Sequence, residues 1–110
     1  MGIQLPSEED LAQMMPELPE AMKKTFTKQQ VFGFMLAVEE QMKVALPPAT
    51  FLEHFASQYP VQARAAHQVG FDAFDAYIQS IPSLEGSMIA SRGGQQWLEK
   101  LWSAMKKKFA

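Results

Sequence analysis

No cysteine occurs anywhere in the chain. That excludes a disulfide framework, a thiolate zinc site and catalysis by a cysteine nucleophile. No apolar run approaches the ~20 residues needed to cross a bilayer. Strictly alternating apolar and polar residues, the mark of a half-buried strand, are missing, and so are Asn-Gly and Asp-Gly hairpin turns. Excess positive charge is absent as well. Ten Lys and Arg against 12 Asp and Glu leave a formal charge of −2, which argues against non-specific attraction to nucleic acid. The chain has no internal repeat and no low-complexity segment. Its first residues, MGIQLPSEED, lack the basic and apolar regions of a secretory signal. Gly2 follows Met1 as in a myristoylation start, but Pro6 stands where that signal has Ser or Thr. A cytoplasmic protein is the expectation.

What is present suits one globular domain. The chain has 110 residues, and 47% of them are hydrophobic, enough for a core. The organising stretch is Thr27 to Leu46, TKQQVFGFMLAVEEQMKVAL. Thr27 with Gln30 forms a capping box. Val31, Phe34, Met35, Val38, Met42 and Ala45 recur at helical spacing on one face. Pro47 and Pro48 stop the helix, since the residue before a proline is held out of helical backbone. Phe32 and Leu36 lie outside the core face, and Gly33, Ala37 and Val44 form a third strip of small residues that lets another helix approach. A helix apolar on more than one side is buried centrally or shared with a partner.

Other elements follow from caps and prolines. Ser7 caps a short helix whose first turn holds Glu8, Glu9 and Asp10 and whose apolar side is Leu11, Met14 and Met15. A second short turn runs from Pro19 to Phe26. Ala49 to Gln58 is a short helix between prolines, with Phe51, Leu52 and Phe55 inward. Val61 to Ile81 is a longer segment with Ala65, Val69, Phe71, Phe74, Ile78 and Ile81 inward, and Gly70 leaves open whether it is one helix or two. SLEGSMIASRGG reads as loop, with at most a weak turn at Ser87 to Ser91 and a flexible break at Gly93-Gly94. In the final helix, Gln95 to Lys108, Trp97, Leu98, Leu101, Trp102, Met105 and the following Phe109 fall on an arc of about 140°. The expected fold is all-α: a small helical bundle of four main helices plus one or two short helical turns, in a single domain over residues 1–110. The order of its acidic segment, 1–26, is left open.

Charge divides between the ends. Residues 1–20 hold five acids and no base, whereas residues 92–110 hold five bases against Glu99. Helix-end electrostatics account for this, acids favouring helix starts and bases helix ends. Attraction between the two ends is the alternative.

Nothing assembles into catalytic chemistry. His54 and His67 sit in no HExxH or ligand-rich pattern. Glu53 beside His54 does not face it on a helix. Asp72 and Asp75 share a stripe with Arg64 and Gln68 if the helix is continuous, which reads as a solvated polar face or an Mg²⁺ position lacking further carboxylates. No serine lies in a G-x-S-x-G elbow and Gly93-Gly94 lacks the rest of a phosphate loop. The expectation is no enzyme, with no catalytic, cofactor-binding or metal-binding residue.

QARAAHQVGFDAFDAYI, from Gln62, partly resembles the helix-turn-helix of DNA-binding repressors, with Gln62 at the opening, Ala66 at the close approach and Gly70 at the turn. The resemblance implies a DNA-binding regulator using residues 62–81. Asp72 to Ile81, which would be the recognition helix, departs from the pattern, offering two Asp and no Lys or Arg to phosphates. The final helix, with aromatics on one side and lysines on the other, suits a membrane surface, but its lysines cluster where they serve the helix dipole.

Eight Met residues are spread over nearly every helix. They fill cores or form pliable surfaces. The functional expectation is therefore a non-catalytic interaction module, such as an adaptor, an assembly or secretion chaperone, or an immunity-type protein. It would bind another protein and self-associate as a homo-oligomer, a dimer. Met14, Met15, Phe32, Leu36, Trp97, Trp102 and Met105 are the interface candidates. Nucleic acid and membrane are not the expected partners.

Overall fold

The computed structural model describes residues 7–109, and Gly2 and Pro6 of the myristoylation argument lie outside them. Ser7 caps α1 (Glu8–Met14), its side chain accepting from the Asp10 backbone N–H. Pro19 opens the single turn α2 (Glu20–Lys23). The chain then builds α3 (Lys28–Lys43), α4 (Pro48–Gln58), α5 (Pro60–Val69) and α6 (Phe71–Gln79). A 3₁₀ turn at Pro82–Leu84 leads to α7 (Arg92–Lys108). No strand occurs among the described residues, and the fold is an all-α bundle.

The capping box at α3 is complete. Thr27 Oγ1 accepts from Gln30 N at 3.1 Å and Gln30 Oε1 accepts from Thr27 N at 3.0 Å. The other end stops earlier than Leu46. Leu46 N–H donates to Gln41 O at 3.0 Å and Ala45 N–H to Met42 O at 3.2 Å. This is a Schellman motif, with Ala45 left-handed at φ 56°. Pro47 holds Leu46 out of helical backbone, so the chain reverses one residue before it.

Glycine settles the 61–81 segment. Gly70 has φ 92° and ψ 156°, conformations open to a residue without Cβ. It divides the segment into α5 and α6, and the stripe drawn through Arg64, Gln68, Asp72 and Asp75 is therefore not continuous. Gly93-Gly94 is a correction: both lie in the first turn of α7, and Ser91 Oγ accepts from Gly94 N at 3.0 Å. The helix begins three residues before Gln95 because Ser91, rather than Gly94, is the cap.

One core joins these elements. Phe34 of α3 is its aromatic centre, touching Phe51, Phe55, Phe74 and Trp102 at ring-centroid distances of 5.2 to 6.2 Å. Trp102 Nε1 donates to Ala66 O at 3.0 Å, tying α7 to α5. The acidic segment from residue 7 to 26 is packed in, with Leu11, Met15, Leu18, Met22 and Phe26 buried. Tyr77, which the spacing did not place inward, is also buried, and its hydroxyl donates to Pro16 O at 2.7 Å. The radius of gyration, 13.2 Å, is that of a packed domain, about 13 Å for this length.

Candidate functional site

The phase of α3 follows from its cap. With Val31, Phe34, Met35 and Val38 turned into the core, Gly33 and Ala37, four residues apart, come to one side of the helix. The opposing wall comes from a chain reversal. α4 ends at Tyr59, whose φ of −133° and ψ of 63° fit neither helix, and Pro60 starts α5 at once. That corner brings Phe55, Gln58, Tyr59 and Gln62 across from Gly33 and Ala37. Between them lies an open groove of about 430 Å³, within the usual size of a ligand pocket.

Aromatic rings and amides share the lining of the groove. Phe26 and Phe34 line it from the core side, and Phe34 packs against Phe55 with centroids 5.2 Å apart. Phe55 in turn meets Tyr59 at 5.9 Å. Four glutamines, Gln29, Gln30, Gln58 and Gln62, complete the lining. No Asp, Glu, Lys, Arg or His is among the lining residues. Tyr59 stands at the edge, 53% exposed, and Val61 beyond it is 67% exposed.

A second, shallower depression lies between α5, α6 and α7 and includes His67, Asp72, Glu99 and Lys106. Its charges are mixed. Asp72 faces it, whereas Asp75 turns to α7, where Gln95 Nε2 donates to Asp75 Oδ2 at 2.7 Å. Oδ1 of Asp75 is buried with no hydrogen-bond partner. The two carboxylates thus point to different surroundings. Among the described residues no group of three or more His, Asp or Glu is placed to hold a metal ion.

Of the interface candidates, Met15, Trp102 and Met105 are buried in the chain's own core, Trp102 also lining the second depression. Phe32 and Trp97 are half-buried against that core, Trp97 Nε1 donating to Leu46 O at 3.1 Å. Leu36 is half-buried, and Met14 is 36% exposed. The structure does not gather these seven into one patch. Of the sequence's strips, the Gly33 and Ala37 strip is the one that opens a groove. Its partner wall was missed because the reversal at Tyr59-Pro60 leaves no periodic signal. The proline pair of signals, Pro48 and Pro60 at helix starts, was the only trace of it.

Charge at the surface is local. Lys23 pairs with Glu17 at 2.7 Å and Lys108 with Glu53 at 3.3 Å. Hydrogen bonding and attraction from Lys23 hold the Glu17 carboxyl below its ordinary range. Among the described residues no ion pair joins the acids of α1 to the lysines of α7. No described helix is long and apolar enough to cross a membrane. No protein-family model matches the chain, and neither curated proteins nor solved structures include a significantly similar one.

Proposed function

We propose that this protein is a non-catalytic interaction module that binds protein through the groove between α3 and the α4–α5 corner. One observation carries the reading: an open apolar groove, about 430 Å³, edged by amides and free of ionisable acids and bases. Apolar walls reward burial of a partner's side chains at roughly 25 cal/mol per Å². The amides of Gln58 and Gln62 both donate and accept, which suits the peptide groups of another chain. Gly33 and Ala37 allow a close backbone approach. Phosphate or another anion would find no cation in this lining.

The helix-turn-helix alternative has less support. The exposed residues of α6 include Asp72 and Gln79 and no Lys or Arg, so a phosphate backbone beside it would meet negative charge.

A photo-cross-linking amino acid at Gln58, activated in cells that express the protein, tests the reading. The expected result is a discrete protein adduct that disappears when Gly33→Met fills the groove. Absence of any protein adduct, or an adduct indifferent to Gly33→Met, would overturn it.

A further inference from the structure

We draw no further inference here: the strongest candidate, the apolar groove between α3 and the α4–α5 corner as a seat for one particular partner, has an uncharged lining that fits any neutral surface, and nothing in the structure shows what covers it.

Discussion

Three residues hold backbone or side chains in demanding states. Ala45 is left-handed at φ 56°, where the ordinary occupant of a Schellman motif is Gly. The Cβ clash there costs on the order of 1 kcal/mol. Ala45→Gly should therefore stabilise the fold by about 0.5–1 kcal/mol in urea titration, against the usual sign for Ala to Gly. A destabilised variant would show that Ala45 is not left-handed in solution. Gly93 and Gly94 form a matched pair. A Cβ at Gly94 would run into the backbone of Met88 and Ile89, whereas one at Gly93 meets only Ser91 Oγ, at 3.9 Å. Gly94→Ala should cost at least about 1–3 kcal/mol through forced displacement, while Gly93→Ala should gain up to about 1 kcal/mol from helix propensity. Equal effects in thermal melts would contradict the packing of residues 88–89 on α7. Tyr77 supplies the pH dependence. Burial first, and the nearby Glu17 carboxylate second, push its hydroxyl from 10.0 up to about 12. The neutral form is favoured in the fold, so this contribution is complete below pH 10 and is lost as pH rises toward about 12. Denaturation of wild type and Tyr77→Phe across that range should show the wild type losing more stability.

At the scale of elements, α1 and α2 gain most from the tertiary structure. Neither is long enough to persist alone, since isolated helices shorter than ~12 residues are marginal in water. Both are held by what they bury. Leu11 and Met22 are fully enclosed, and Tyr77 reaches back to Pro16 O. Met22→Ala should cost about 2–5 kcal/mol, the range for emptying a core position, and Met14→Ala, on the open side of α1, much less. If Met22→Ala melts like wild type, residues 19–26 do not dock as described. Glu8, Glu9 and Asp10 are accounted for locally, because they occupy the first turn of α1, where negative charge meets the positive end of the helix. α3 depends least on its surroundings for its limits, with the Thr27–Gln30 box at one end and the reversal before Pro47 at the other.

For the whole molecule, the core is drawn together from every helix, and the groove is what remains where α3 and the α4–α5 corner fail to close. That space could not be read from periodicity, which ranks faces of one helix and says nothing of how two helices meet. Phe32 and Leu36 show the limit. They fall outside the arc of Val31, Phe34 and Val38, and the fold leaves both half-buried, a degree of burial that spacing along one helix does not give. Trp102 shows it again: its place on the apolar arc of the final helix does not specify its contact, and its indole nitrogen bonds Ala66 O inside the domain. Met15 and Met105 are likewise enclosed.

The sequence by itself determined the local matters. It determined helical class, from the spacing of apolar residues and the missing strand and hairpin signals. It also determined most limits, from Ser7, Thr27, Pro48 and Pro60, because caps and prolines act within a few residues of themselves. Only the tertiary structure decided that the segment divides at Gly70 into α5 and α6, that Gly94 serves close packing rather than flexibility, and which face of α3 stays open. Those outcomes depend on contacts between residues far apart in the chain, where the space left by one helix fixes what its neighbour can present.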